Sequence, residues 1–340
     1  LPVPARFRLH RLAAALSRGC AVALWVAGAV AAGAQDEAGG RTCLAGIRQQ
    51  AETSGRSRVA IDAVLSGLTL NPRVIELDRA QPGANPTAPP PLFEPYRRSH
   101  IDGQRISRGR SVFGAQRAVI ARVERDTGVP GAILIAIWGH ETNYGAITGN
   151  FDIPRALASL AYEGRRRALF SNELLAAIDM VGRGVPRDQL RGSWAGAMGN
   201  PQFLPSVYLA VARDGDGDGR ADIWNNSADT LASIGHYFTD AGWRPGEPWG
   251  LAVSVPASLD RTAMEARSLS PRCPRVFARH SRWRTMAEWR ALGVAPQSKA
   301  WPDDHVLATL LEPDGPGKTG YLLTGNYRVI LDYNCSNFYA

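Results

Sequence analysis

The sequence predicts a mainly α protein carrying a small mixed α/β insertion, on three observations. Apolar residues recur at helical spacing through much of the first 244 positions. Short apolar runs broken by Pro and Gly turns replace that pattern over 245–327. Finally, 340 residues with 45% apolar and 21% charged side chains suffice for a large buried core. The same composition excludes a collagen-like repeat and a disordered chain, and four cysteines exclude a dense disulfide scaffold.

Positions 1–34 carry Arg6, Arg8, Arg11 and Arg18 and no acid, then an apolar stretch from Cys20 that ends in Ala32-Gly33-Ala34. A basic entry, a short apolar run and an A-x-A site mark a signal peptide cleaved after Ala34. The run is shorter than the ~20 apolar residues of a spanning helix. Cys20 precedes it, beside Arg18, and is poorly placed for lipid attachment. Export would put Cys43, Cys273 and Cys335 in an oxidising compartment, which allows one bridge and one free thiol. Their spacing leaves the pairing open and suits no metal. The net charge is +8, half of it from the four arginines of 1–34. A modest basic excess suits an anionic polymer and does not call for nucleic acid.

Leu44, Ile47, Val59, Ile61, Val64, Leu65 and Leu68 lie at helical spacing, and Asn71-Pro72 is expected to stop the run. Six prolines within 81–95 mark a surface linker. Val112, Ala115, Val119 and Val123 predict a helix over 106–125. Later, Leu251-Ala252-Val253, Val306-Leu307-Ala308 and Tyr321-Leu322-Leu323 read as strands, with a helix near Met286–Leu292. The expected division is a helical region over 35–110, a core over 111–244, the β-containing insertion over 245–327 and a return to the core over 328–340.

Gly128-Val129-Pro130-Gly131 opens a helix with Pro130 in its first turn. Ile133, Ile137 and Glu141 follow at four-residue steps and share one face. Thr142-Asn143-Tyr144-Gly145 ends it. A carboxylate there meets the unfavourable end of the helix dipole, and apolar neighbours make ionisation costly. Both effects keep the proton on at neutral pH, as a general acid requires. His140 invites a zinc reading, but the second histidine of such a motif is absent at Tyr144. His140 lies about 100° around the helix from Glu141, in a packing or supporting position.

The segment Gly192-Ser193-Trp194-Ala195-Gly196-Ala197-Met198-Gly199-Asn200-Pro201-Gln202-Phe203-Leu204-Pro205-Ser206 is rich in small residues that let backbone approach a ligand closely. Gln202 offers donors and acceptors, and Trp194, Met198 and Phe203 offer apolar surface. The combination suits an N-acetyl sugar, and equally a tight joint between helix and loop.

Together with Gly139-His140-Glu141-Thr142-Asn143-Tyr144-Gly145 and Arg165-Arg166-Arg167, this string resembles the lytic murein transglycosylase B family, glycoside hydrolase family 103. Order and spacing match from near Cys43 to Ala340. The resemblance implies a lysozyme-like core that cuts peptidoglycan between N-acetylmuramic acid and N-acetylglucosamine, with Glu141 as the catalytic acid. It implies that Ser193, Gln202, Phe203 and Tyr237 line the sugar groove, and that Arg166 and Arg167 meet the carboxylates of the peptide stems. Tyr333-Asn334-Cys335-Ser336-Asn337-Phe338-Tyr339 resembles the family's return segment, which carries over Tyr333, Asn334 and Tyr339 as groove residues. One departure is His140, where the family more usually has an aliphatic side chain.

The implied chemistry uses one carboxyl where glycosidases commonly use two; Asp152, Glu163 and Glu173 carry no comparable signature. It ends in a 1,6-anhydro sugar and consumes no water. No cofactor is implied for catalysis. The expected partner is the peptidoglycan glycan strand in the periplasm, met by a monomer, with proteins of cell-wall synthesis or division as further partners. A hydrolytic muramidase and a non-catalytic peptidoglycan-binding scaffold are the alternatives.

Asp214, Asp216 and Asp218 fill positions 1, 3 and 5 of an EF-hand-like loop, with Gly219 at the turn, the Arg220 carbonyl next, then Asp222 and finally Asn225. Asn225 replaces the usual bidentate Glu, so weak structural calcium binding is expected, at about 10⁻⁴ to 10⁻³ M. A solvated acidic turn is the alternative. Gly315-Pro316-Gly317-Lys318-Thr319 ends like a phosphate-binding loop, but Glu312 stands where its first glycine belongs, so no nucleotide is expected.

Overall fold

Gly55 (φ 80°) and Gly67 (φ 68°) cut the first helical stretch into three. In the computed structural model, which describes residues 38–81, 92–265, 273–297 and 300–340, a helix over 38–53 (α1) precedes α2 (Arg58–Leu65) and α3 (Pro72–Arg79). The segment expected to be a signal peptide, 1–34, and most of the proline-rich linker lie outside the described residues. Asn71-Pro72 starts a helix where a stop was expected. The Asn71 side chain accepts from Arg73 N, and Pro72 takes the first helical position, where a missing N–H costs nothing.

Pro95 sits in the first turn of α4 (Phe93–His100), a helix that the proline count conceals. The single helix expected over 106–125 is two, α5 (Gly103–Ala115) and α6 (Arg117–Thr127), separated at Gln116. Then come α7 (Gly131–Thr142), β1 (Phe151–Asp152), α8 (Ile153–Glu163), α9 (Arg167–Gly182), β2 (Arg191–Gly192), α10 (Pro205–Val211) and α11 (Ser227–Asp240). One apolar cluster packs α1–α3 on α8 and α9 around Ile61, Leu157, Leu174 and Ile178. A second packs α6, α7 and α11 around Ile120, Leu134, Leu231 and Phe238. The short antiparallel pair β1–β2 sets Phe151 opposite Gly192, where the small-residue string begins.

The insertion contains β3 (Gly250–Ser254), α12 (Pro274–Phe277), β4 (Arg284–Thr285), α13 (Met286–Ala291), β5 (Ala295–Pro296), β6 (Leu307–Leu311) and β7 (Gly320–Leu323). Its five strands are antiparallel in the order β4-β6-β7-β3-β5. The three apolar runs read as strands fall in β3, β6 and β7. Thr285 and Glu288 form a reciprocal cap on α13, and buried Trp289 donates to Ala308 O at 3.0 Å.

From β7 the chain turns at Thr324 into α14 (Gly325–Tyr333), which returns to the helical body. Buried Asn326 fastens the entry and exit of the insertion together. Its Nδ2 donates to Arg244 O (2.8 Å) and Glu247 O (2.7 Å), and its Oδ1 accepts from Arg244 N (2.8 Å). Cys273 and Cys335 form the disulfide that spacing left open, and Cys43 is free. His280 Nε2 meets Asn337 Oδ1 at 2.8 Å, and Asn337 Nδ2 donates to Val276 O at 3.1 Å. The insertion therefore fixes where the last residues of the chain lie. The protein is mainly α, and none of its described helices is long and apolar enough to cross a membrane.

Candidate active site

Glu141 sits one residue before the end of α7. Three consecutive left-handed residues, Asn143 (φ 50°), Tyr144 (φ 58°) and Gly145 (φ 83°), turn the chain sharply there. The turn folds the Tyr144 ring back over Gly139, where a Cβ would stand 2.5 Å from the ring. Buried Asn200 joins this helix end to the small-residue string. Its Oδ1 accepts from Trp138 Nε1 (3.1 Å), its carbonyl accepts from Thr142 Oγ1 (3.0 Å), and its Nδ2 donates to Trp224 O (3.1 Å). Sequence reading placed Asn200 inside the string and gave it no role.

The string folds as two tight turns. Ser193 closes the first: its N donates to Ala197 O (2.7 Å) and its Oγ accepts from Ala197 N (3.1 Å). Met198 and Phe203 close the second by exchanging backbone hydrogen bonds. At its tip Gln202 takes φ 53°, an uncommon value for a residue with a side chain. Its Nε2 donates to Gly199 O (2.9 Å) and Thr148 O (3.2 Å).

An aromatic series leads from this turn to Glu141. Phe203 faces Tyr237 (5.9 Å between ring centres) and Tyr333 (6.0 Å); Tyr237 and Tyr333 meet edge-on at 4.6 Å; Tyr333 lies parallel to Tyr339 at 6.4 Å. The Tyr333 hydroxyl donates to Pro201 O (2.6 Å) and that of Tyr237 to Asp332 O (2.9 Å). Tyr339 Oη donates to Glu141 Oε1 at 2.6 Å, joining residues 198 apart in sequence.

Burial pushes the Glu141 carboxyl up from its ordinary 4.5 to about 7, and the Tyr339 hydrogen bond draws it partway back. Burial and then the Glu141 charge hold the Tyr333 and Tyr339 hydroxyls well above their usual range, so both remain donors. No second carboxylate joins this group among the described residues. Asp152 caps α8 and pairs with Arg187 at 2.9 Å. Glu163 pairs with Arg79 and Arg165. Buried Glu173 accepts from Ser206 N (2.9 Å) and Oγ (2.6 Å), which anchors the start of α10.

A carboxyl with a raised folded pKa binds its proton more tightly folded than unfolded. Its cost to stability is absent below about 4.5, grows as pH rises to about 7 and is constant above. The full cost is on the order of 3 kcal/mol. Glu141→Gln should therefore match the parent near pH 4 and exceed its stability by up to about 3 kcal/mol near pH 8, in urea melts. Equal stabilities near pH 8 would mean that the carboxyl ionises without penalty.

Two predicted groups lie elsewhere in contact terms. Arg166 pairs with buried Asp78 at 3.0 Å and its guanidinium covers the Phe170 ring at 4.8 Å; Arg165 also pairs with Asp78. Arg167 begins α9, exposed, and acts electrostatically on Cys43. Asn334 is exposed at the end of α14, beside Tyr333.

The acidic loop gathers differently from its sequence register. Oxygens of Asp214, Asp216 and Asp229 lie within 4.8 Å of one another. Asp222 Oδ1 instead accepts from Trp224 N (3.0 Å), Asn225 N (3.0 Å) and Gln189 Nε2 (2.9 Å), and Asn225 Nδ2 donates back to Asp222. Asp218 Oδ1 accepts from Arg220 N at 2.8 Å. Asp229, which sequence reading missed, is buried and accepts from Gly215 N (2.7 Å) and Asp222 N (2.6 Å). It lies past the 12-residue frame, in the first turn of α11, where it looks like part of the helix cap set by Asn226.

Residues 39–340 match the family model described as the transglycosylase SLT domain. The membrane-bound lytic murein transglycosylase B of Escherichia coli (strain K12) is 30% identical over 258 residues, which cover 75% of this chain and 66% of that protein's length. SltB3 of Pseudomonas aeruginosa, solved in complex with NAG-anhNAM-pentapeptide, matches with TM-score 0.77 at 34% identity, over 88% of this chain and 76% of that one. The Escherichia coli lytic transglycosylase Slt35, solved in complex with calcium, matches with TM-score 0.68 at 26% identity, over 89% of each chain. With the model spanning the string, the Glu141 helix and the return segment alike, the chain belongs to the transglycosylase SLT domain family.

Proposed function

We propose that this chain is a lytic transglycosylase that cuts the MurNAc–GlcNAc bond of peptidoglycan. The observation that carries the reading is the Glu141 carboxyl, joined by no second carboxylate among the described residues, with a tyrosine hydroxyl 2.6 Å from one oxygen and a pKa that burial pushes up to about 7. Neutral Glu141 gives its proton to the bridging oxygen, and positive charge develops at the anomeric carbon of the muramic ring. The carboxylate left behind is costly to hold where it is buried, and Tyr339 donates to it. Glu141 then takes the proton of the muramic 6-hydroxyl while that oxygen bonds the anomeric carbon, which closes the 1,6-anhydro ring. The attacking group is already part of the substrate, so the second step gains from proximity.

Ser193, Gln202, Phe203, Tyr237, Tyr333 and Asn334 are assigned to the glycan groove, and Arg166 and Arg167 to the carboxylates of peptide stems. SltB3 in complex with NAG-anhNAM-pentapeptide supports the substrate class. Digestion of purified sacculi followed by product mass tests the reading. Muropeptides one water lighter than their reducing-end forms are expected. Full-mass products would make the chain a hydrolytic muramidase, and binding without release a scaffold.

We also propose a structural calcium ion in the loop that starts at Asp214, with Asp214, Asp216 and Asp229 as its carboxylate ligands. Calcium in the Slt35 structure supports this. Calcium at about ten times its Kd should add about 1.4 kcal/mol to unfolding, read as a rise in Tm. Asp214→Asn should lose most of that rise. A Tm indifferent to millimolar calcium would leave the loop a solvated turn. The signal-like segment 1–34 and the Cys273–Cys335 bridge support a periplasmic location.

A further inference from the structure

Tyr339 N and Ala340 N both donate to Ser336 O, at 3.1 and 3.2 Å, in a single turn. Two rings pack against the Tyr339 ring. Tyr333 lies parallel on one side at 6.4 Å, and the His140 ring meets it edge-on at 4.5 Å. His140 is in turn fixed by α4: its Nε2 lies 3.2 Å from the Tyr96 hydroxyl. Tyr96 stacks on His100 at 3.8 Å and tilts against Phe338 at 5.4 Å, beside Tyr339 in sequence.

We propose that His140 is a positioning residue for the acid: packed edge-on against Tyr339 and hydrogen-bonded to Tyr96, its imidazole holds the Tyr339 hydroxyl on Glu141. The inference rests on Glu141 being the acid of the proposed reaction. His140 never touches the carboxylate's proton; it acts through the ring beside it. The polar groups that face it come from three elements, Tyr96 and His100 of α4, Arg105 of α5 and Tyr339 of the return segment. Burial, then Arg105 and His100, lower its pKa to about 4, so the ring is neutral in the range where Glu141 works. A neutral ring can accept at Nε2, and burial keeps the Tyr96 hydroxyl protonated to donate.

The test reads Glu141 itself. Because the Tyr339 hydrogen bond lowers the Glu141 pKa, loosening Tyr339 must raise it. In protein carrying ¹³C-labelled glutamate, His140→Val and Tyr96→Phe should each move the Glu141 titration upward, by about half a pH unit for His140→Val. Tyr339→Phe should do the same, and adding His140→Val to it should move the titration no further. His140→Gln, which keeps an acceptor near Nε2, should restore most of the parent value. On soluble glycan strands, His140→Val should lower kcat about tenfold with little change in KM.

An unmoved Glu141 titration in both His140→Val and Tyr96→Phe overturns the proposal. So does a His140→Val shift that adds in full to that of Tyr339→Phe. If His140→Val does not fold, Tyr96→Phe deletes a single hydroxyl and carries the same test. The titration needs no substrate, so its outcome stands apart from whether the chain forms anhydro sugars.

Discussion

Glu141→Gln is expected to end the release of soluble muropeptides from sacculi, with a loss on the order of 10⁴-fold in rate. The substitution is nearly isosteric, and its amide oxygen can still accept from Tyr339, so the aromatic series from Phe203 to Tyr339 should stay in place. What disappears is a transferable proton, needed once by the leaving oxygen and again in reverse by the 6-hydroxyl. A proton relay with two separate groups would lose only part of its rate when one is removed. In the proposed reaction one carboxyl serves both steps, and the nearest other candidates in sequence are committed to helix ends and ion pairs. The same variant should fold at least as well as the parent above neutral pH, because the buried charge is gone. Reduced lysis therefore cannot be assigned to unfolding if the urea melt near pH 8 shows the expected gain. Lysis within tenfold of the parent would remove Glu141 from the chemistry.

Glu141 stands out in the sequence because three local signals coincide on α7: a four-residue apolar step, a helix end and a carboxylate. The string from Gly192 was legible because so many small residues serve no helix and no strand. Strands β3, β6 and β7 were legible as short apolar runs between turn residues. What periodicity could not carry is convergence across the chain. The hydrogen bond from Tyr339 to Glu141 joins residues 198 apart, and neither the residues nor the family resemblance, which gave Tyr339 only as a groove residue, pointed to it. Asn71-Pro72 misled because the same pair can end one helix and cap the next. Asp229 was missed for a related reason: a residue in the first turn after an Asn cap reads as part of the cap, while its carboxylate in fact reaches back to Gly215 and Asp222. The pairing of Cys273 with Cys335 depends on where the insertion rejoins the body, which no spacing rule states.

That bridge gives the largest stability effect. Replacing Cys273 and Cys335 together by Ser removes a crosslink between positions 62 apart, and the freed unfolded chain gains entropy worth about 4 kcal/mol. A fall in Tm on the order of 10 °C should follow. The folded state changes as well, because Cys335 stands four residues before Tyr339, and the bridge ties this segment to residues 245–327. Asn337 is a second tie, reaching His280, Val276 and the Tyr327 hydroxyl. The two ties act on one short segment, so their effects should not add: the Ser pair should lower lysis severalfold, Asn337→Ala in the intact protein likewise, and all three changes together far more than the product of the two. Thiol-treated parent protein should behave as the Ser pair does. An unchanged Tm in the Ser pair would mean that the bridge closes no loop the unfolded chain could use. Strictly multiplicative losses of lysis would mean that the bridge and Asn337 hold different parts of the site, and that Tyr339 depends on only one of them.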